Sequence, residues 1–336
     1  MKTLTIITSR SITHNRFLFE ISNSLSKNFK VTLCCRDSKN INNLNNLNNE
    51  DIPFPNSLID LFDINKTYQM IVKIIKVINQ SDLIYLHTPL ASHFVRLVYI
   101  FLFKKLKVIY HVHGLRYIPG EWNFRGLIYR FLEFIFSFKT DKFITINNMD
   151  YKSMRKFIPH KKIYLVKGVG VNLKANFKIK INKNRNQKFI VGVIAAFNKS
   201  KGYKELIKIA KNCQINRNII FRVFGYGNYD WILHLMRKNN VNNIEIKGYR
   251  KNIEGEIEKF NLFLLPSHRE GLNVSIQECL SRGKPVLTTK VRGCEDLIID
   301  GHNGFLYKKD NINKASDTIL KLSKMNNNDY SKLCKN

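Results

Sequence analysis

Short apolar runs alternate with longer amphipathic stretches from the first residues of the chain. Residues 4–8 read as a strand, 17–25 as a helix and 29–35 as a second strand. A helix over 68–78 follows, then strands over 83–87, 108–112 and 143–146, separated by helical stretches. Parallel neighbours in a sheet require a long crossover, normally a helix, so this alternation predicts βαβ units and a parallel sheet. Residues 39–50 interrupt it. They are dominated by Asn, with Ile41, Leu44 and Leu47 as the apolar exceptions, and read as a mobile loop too polar to fold alone.

The pattern lapses over 169–187, a polar, basic stretch without periodicity, and restarts at 189–194. Strands are then expected over 219–224, 244–246, 262–265 and 285–288. The division is therefore a domain of residues 1–168, a linker of 169–187 and a second domain of 188–336. Residues 94–107 and 124–142 mix aromatic and aliphatic side chains with Lys and Arg. Phe131, Leu132, Ile135 and Phe138 predict the apolar stripe of a core helix, the commoner outcome of such a pattern. The competing reading lays these stretches on an anionic bilayer.

The densest chemistry lies between residues 262 and 307. The run 262–265 stops at Pro266, as expected of a buried parallel strand opening into a loop, and binding groups usually sit at that end. Val274, Ile276, Cys279 and Leu280 mark a helix, which Gly283 and Pro285 end. Glu270 precedes that helix and Glu278 lies within it. The loop Gly271, Leu272, Asn273 and Val274 leads into its start, where the amides of Asn273, Val274 and Ser275 suit a phosphate or diphosphate. A carboxylate repels phosphate but accepts hydrogen bonds from sugar hydroxyls, so Glu270 suits a sugar and Glu278 a ribose diol. Together these groups describe a sugar nucleotide. The simpler reading makes Glu270 an electrostatic helix cap, Glu278 a solvated residue and the glycines ordinary turns.

Other candidates follow strand ends. His113 and Gly114 come after the strand at 108–112; such a His bonds a sugar hydroxyl, shuttles a proton or is structural. Arg116 suits an anionic group or a surface ion pair. Residues 197–202 place Lys199 and Lys201 after the first strand of the second domain. Gly248, Tyr249 and Arg250 follow the strand at 244–246, as ligand contacts or as a plain β-to-α turn. No Asp-x-Asp motif and no cysteine spacing suggests a metal.

The ordered set from Pro266 through Glu270 and Glu278 to Gly283-Lys284-Pro285-Val286 closely resembles the Glu-x7-Glu region of the family 4 (group 1) retaining glycosyltransferases. These enzymes build bacterial capsules, O-antigens and other surface glycans. The resemblance implies an α/β fold of the GT-B type: two Rossmann-like doubly wound parallel-sheet domains facing across a cleft, the acceptor side in the first. It implies transfer, with retention, of a hexose or N-acetylhexosamine from a nucleotide diphosphate sugar, expected to be UDP-linked. The expected acceptor is a hydroxyl of a lipid-linked glycan in surface polysaccharide (capsule, O-antigen, lipopolysaccharide) biosynthesis. His113, Lys201 and Glu270 take the catalytic positions, with Lys201 on the diphosphate and Gly248, Tyr249 and Arg250 at the base. Attack is then on the front face, the proton passing to the leaving phosphate, with no cofactor and no metal. Ala196 stands where the family has arginine, leaving Lys199 as its substitute, and residues 8–14 lack the family's glycine-rich loop. The same fold also serves sugar-nucleotide epimerases and hydrolases.

Charge widens the field. Fifty-six Lys and Arg against 25 Asp and Glu give a net charge of +31, which attracts nucleic acid, anionic membrane or phosphorylated substrates. The richness in Lys, Asn and Ile throughout also accounts for it without a partner. A basic polyanion-binding protein is the alternative of a different class, but no nucleic-acid module is recognisable and no nucleic acid is expected. Dispersed cysteines, a start too short for a signal peptide and no run of roughly 18 apolar residues lead us to expect a cytoplasmic protein, peripheral at the inner face of the cytoplasmic membrane.

Overall fold

A computed structural model describes residues 1–42, 47–121, 123–168, 170, 171 and 188–335. The chain divides into two compact units, Met1–Val169 and Gly170–Asn336. Of the linker read at 169–187, residues 169 and 172–187 lie outside the described residues, as do 43–46 of the Asn-rich stretch.

Among the described residues the first unit holds seven strands: β1 (Thr3–Arg10), β2 (Lys30–Arg36), β3 (Asn48–Asp51), β4 (Leu83–His87), β5 (Lys107–Val112), β6 (Lys142–Thr145) and β7 (Ile163–Leu165). Their order is β3-β2-β1-β4-β5-β6-β7, and all pairings are parallel. Side chains alternate between the two faces, which is why one sheet supports two cores. Leu4 and Ile6 join Val31, Leu33 and Cys35 on one side, whereas Ile7 joins Cys34, Ile84 and Leu86 on the other.

The second unit holds β8 (Phe189–Ile194), β9 (Ile219–Phe224), β10 (Ile244–Gly248), β11 (Leu262–Leu265), β12 (Val286–Thr289) and β13 (Gly304–Tyr307). Their order is β10-β9-β8-β11-β12-β13, again parallel throughout. All four residues of β11 are buried, with Leu262 and Leu264 in one core and Phe263 and Leu265 in the other. Burying each such side chain contributes roughly 1.5–3 kcal/mol, which explains a strand without a polar position.

In each sheet the chain builds outward in one direction over three strands and then crosses to the other side. The crossing falls between β1 and β4 in the first unit and between β8 and β11 in the second. The loops there diverge to opposite faces and leave a crevice at the carboxyl ends of the strands.

Three expectations need correction. The helix read at 17–25 is two, Ser11–Phe17 and Phe19–Leu25, which meet at the fully buried Leu18. Part of the stretch 39–50 read as a loop is ordered, with Ser38–Asn40 a 3-10 turn and Asn48–Asp51 the edge strand β3. Lys76 holds Glu50 at 2.5 Å and Ser38 N donates to Asp51 Oδ1 at 3.1 Å. An edge strand pairs on one side only and tolerates polar side chains, so apolar content was a poor guide there. The helix Phe124–Ser137, finally, buries the stripe assigned to its core only in part: Phe131 is 62% exposed and Phe138, at its end, 68%, while Leu132 and Ile135 are half-buried. Its buried residues are Gly126, Glu133 and Phe136, with Glu133 paired to Arg96 at 2.9 Å.

Candidate active site

In the second unit the crevice between β8 and β11 is closed by two loops in backbone contact. Gly202, after the 3-10 turn Lys199–Lys201, has φ +72, and a Cβ there would lie 1.8 Å from the Pro266 carbonyl oxygen. Only glycine allows both the conformation and the approach. His268 N donates to Ser200 O at 2.9 Å across the same seam. These constraints bring Lys201, from the β8 loop, against Glu270, from the β11 loop, with Lys201 Nζ donating to Glu270 Oε1 at 2.7 Å. Glu270 is 8% exposed and Lys201 about 20% by side chain, so the pair is partly shielded from water.

Glu270 is also held from behind. The buried Arg292 donates through Nε to the Glu270 carbonyl at 3.0 Å, and Gly293, φ +78, packs so close to Gly271 that a Cβ would meet its carbonyl oxygen at 2.0 Å. Gly271, Leu272 and Asn273 then lead into the helix Val274–Leu280, where Asn273 caps Ile276 N at 3.0 Å. Val274 and Ser275 occupy the first turn, whose amides find no partner within a helix. Glu278 lies half-buried on the second turn, and its carbonyl accepts from Arg282 at 3.1 Å.

Farther along the same strand ends, Gly225 N donates to Gly248 O at 3.1 Å, and Gly248 turns the chain out of β10 with φ +68. Tyr249 and Arg250 are exposed beyond it. Lys199 is exposed on the 3-10 turn beside Lys201, while Ala196 is half-buried. The structure thus brings Lys201, Glu270, Gly271 and the start of Val274–Leu280 together, and sets Gly248, Tyr249 and Arg250 at the edge strand.

In the first unit, three histidines gather at the ends of β4 and β5. Parallel register sets His87 opposite His111. His87 Nδ1 and His113 Nε2 share a hydrogen bond at 2.9 Å, His111 stacks on His113 with centroids 4.5 Å apart, and Tyr85 Oη bonds His111 Nδ1 at 2.9 Å. Burial pushes His111 down to about 4; burial and the neighbouring His111 push His113 down to about 3. His87 lies well below its ordinary value for the same first reason. Each offers one ring nitrogen within 4.8 Å of the others, the one such group able to hold a cation among the described residues. Arg116 is exposed, its guanidinium bonding the Tyr129 hydroxyl at 3.0 Å and lying over that ring.

At the β1 and β4 ends, Thr88 has φ +66, a conformation costly for a β-branched residue. Ser9 holds it, its N donating to Thr88 Oγ1 at 3.0 Å and the two hydroxyls bonding at 2.7 Å. His87, Thr88 and Arg292 were not read from the sequence. His87-Thr88-Pro89 after an apolar run repeats the sign that marked His113, whereas nothing near Arg292 signals its contact with a carbonyl 22 residues away.

Residues 174–336 match the family of glycosyl transferases group 1. Over 313 residues the chain is 25% identical to the capsular polysaccharide biosynthesis glycosyltransferase CapM of Staphylococcus aureus, spanning 88% of this chain and 81% of that one. Over 284 residues it is 26% identical to the N,N'-diacetylbacillosaminyl-diphospho-undecaprenol alpha-1,3-N-acetylgalactosaminyltransferase of Campylobacter jejuni, spanning 79% and 74%. Among solved structures, Anabaena Alr3699/HepE in complex with UDP and glucose matches with a TM-score of 0.76 at 14% identity, over 100% of this chain and 93% of that one. Residues 174–336 are therefore a group 1 glycosyltransferase domain, in a chain whose two doubly wound sheets have the GT-B fold.

Proposed function

We propose that this glycosyltransferase moves a hexose or N-acetylhexosamine from a UDP-sugar, with retention, to a hydroxyl of a lipid-linked glycan during surface polysaccharide assembly. The observation that carries this reading is the Lys201–Glu270 pair at the point where the strand order of the second unit reverses. An ammonium group has three donors and a carboxylate several lone pairs. Lys201 can therefore keep Glu270 and still reach a diphosphate oxygen, while Glu270 accepts from sugar hydroxyls. The relatives support the substrate classes: one is named for a diphospho-undecaprenol acceptor, and an Escherichia coli relative, 23% identical over 235 residues, is named for UDP-Gal.

In the reaction the acceptor oxygen bonds the anomeric carbon on the face the diphosphate leaves. The anomeric carbon–oxygen bond breaks with its electrons going to the diphosphate, and the hydroxyl proton passes to a leaving phosphate oxygen. Lys201, with Lys199 nearby in sequence and the first-turn amides of Val274 and Ser275, opposes the growing charge, the largest contribution in most such catalysis. Glu270 orients the sugar, Glu278 the ribose, and Gly248, Tyr249 and Arg250 the base. His113, held neutral, serves as a hydrogen-bonding partner for a sugar hydroxyl rather than as a base. Arg116 is the candidate contact for an anionic acceptor group.

The test is incubation with a panel of UDP- and GDP-sugars, with and without lipid-linked acceptor, reading the product by mass and its anomeric configuration by NMR. Acceptor-dependent transfer from a UDP-sugar, unchanged by EDTA, is the expected result. Donor turnover without acceptor would replace this reading with an epimerase or hydrolase.

A further inference from the structure

The three histidines at the ends of β4 and β5 share one face of the sheet. Parallel register sets His111 beside His87, and His113, two residues on, returns to the side of His111. Their ring centres form a triangle with sides of 4.5, 5.1 and 5.2 Å. Three imidazoles on one tetrahedral cation, with metal–nitrogen bonds of about 2.0–2.1 Å, stand with ring centres roughly 5 Å apart. The rings are thus already at chelating separation. One nitrogen of each lies within 4.8 Å of the others, so turning the rings about their own side-chain bonds draws the nitrogens inward without moving the backbone.

Two of the ring nitrogens have no other use. His87 is fully buried and His111 is 4% exposed, yet no protein group hydrogen-bonds the Nε2 atom of either. A buried polar atom left in that condition is costly, and a cation gives it a partner. His111 is also prepared from behind, because Tyr85 Oη bonds its Nδ1 at 2.9 Å. With Nδ1 donating its proton to that oxygen, Nε2 keeps the lone pair a metal requires. Ligation exchanges the one hydrogen bond between His87 and His113 for three metal–nitrogen bonds. His113 is half-buried and gives the cluster an open side. The donor set selects the metal: three imidazoles without a carboxylate suit zinc and its transition-metal neighbours, whereas magnesium and calcium take oxygen.

We infer that His87, His111 and His113 bind one divalent cation of the zinc class, with its fourth position open to solvent. The inference does not depend on the sugar-transfer reading. It leaves the diphosphate to Lys201 in the second unit and gives the cation no step in transfer.

Titration of the chelator-treated full chain, freed of chelator, tests it: Zn²⁺ by calorimetry and Co²⁺ by visible absorption. One cation per chain and the intense bands of tetrahedral cobalt are expected, with no response to Mg²⁺. Tyr85→Phe should weaken binding by about tenfold or more, the usual effect of removing an orienting partner. His111→Phe and His113→Asn should each weaken it by at least about 100-fold, since a ligand and not its support is lost. His160→Gln, at an exposed histidine, should change nothing. Zinc should raise the thermal midpoint of the wild type and not that of His111→Phe. If His111→Phe does not fold, His113→Asn decides, because that residue is only half-buried. Absence of stoichiometric binding, or binding that the ligand variants retain, overturns the inference. So does binding that His160→Gln abolishes, which places the cation on the surface.

Discussion

Lys201 Nζ lies 2.7 Å from Glu270 Oε1, joining the loops that follow two adjacent parallel strands on either side of a strand-order reversal. The ammonium group and carboxylate proposed to meet the donor are thus already one ion pair.

Because the two act together, their removal should not be additive. Lys201→Ala should lower kcat/KM by about 10²- to 10³-fold, the usual cost of losing one donor to developing negative charge. Glu270→Gln, which keeps the shape, should raise KM for the donor and lower kcat, and the double variant should be hardly worse than Lys201→Ala. Steady-state kinetics with whichever nucleotide sugar is turned over decides: a Lys201→Ala variant at wild-type rate removes the pair from the reaction.

Gly202 offers a structural counterpart. Alanine there costs roughly 1–2 kcal/mol for the left-handed backbone, and its Cβ would overlap the Pro266 carbonyl at 1.8 Å. Gly202→Ala should therefore lower both the denaturation midpoint and the rate, since the strained turn carries Lys201. Gly255, where an added Cβ meets nothing within 4 Å, is the control and should tolerate Ala without loss. Equal stability of the two variants would show that the seam at Pro266 is not required.

Much of the second unit was legible from local signals. β11 is a pure apolar run closed by Pro266, and Asn273 caps the helix that Val274 and Ile276 announce. The Lys201–Glu270 contact was not legible, because 69 residues separate the two and only sheet order makes them neighbours. β3 was missed because an edge strand can be polar, and β13 because four residues beginning at Gly304 carry little periodicity. The stripe on Phe124–Ser137 shows the limit of pattern reading: periodicity gave the helix but not which face turns inward. The inward face carries Glu133, paired with Arg96 on another helix.

The histidines make the first unit acid-sensitive. His14 and His111 are pushed down to about 4 and His113 to about 3, mainly by burial. The unfolded chain, with histidines near 6.5, then binds more protons between the two values, so stability rises with pH across that window. It is complete above pH about 6.5 and lost as pH falls towards 4. Urea midpoints between about pH 7 and pH 4.5 should fall steeply, and less steeply in His111→Phe. The rate should show no ionisation near 6.5 arising from His113. A limb of the kcat/KM profile at that pH that disappears in His113→Asn would restore a proton-accepting role.

Arg96 and Glu133 pair beneath the helix Phe124–Ser137, and the expectation is that they set its rotation. Arg96 is fully buried, 2.9 Å from Glu133 Oε2 and 4.2 Å above the Tyr110 ring, and His93 meets the other carboxylate oxygen at 3.1 Å. Burial alone would raise the Glu133 carboxyl, but Arg96 and His93 outweigh it and bring it down to about 2. The pair's contribution is therefore present above the ordinary carboxylate range and lost as pH falls through about 4 towards 2. Removing one partner leaves a buried charge unmatched, so Glu133→Gln should cost roughly 3–5 kcal/mol, whereas Glu133→Leu with Arg96→Met should recover most of it. Denaturant midpoints for the two single variants and the double variant measure this. If each single change is as mild as the double, the helix is held by Phe136 and its neighbours, and the ion pair does not set which face meets solvent.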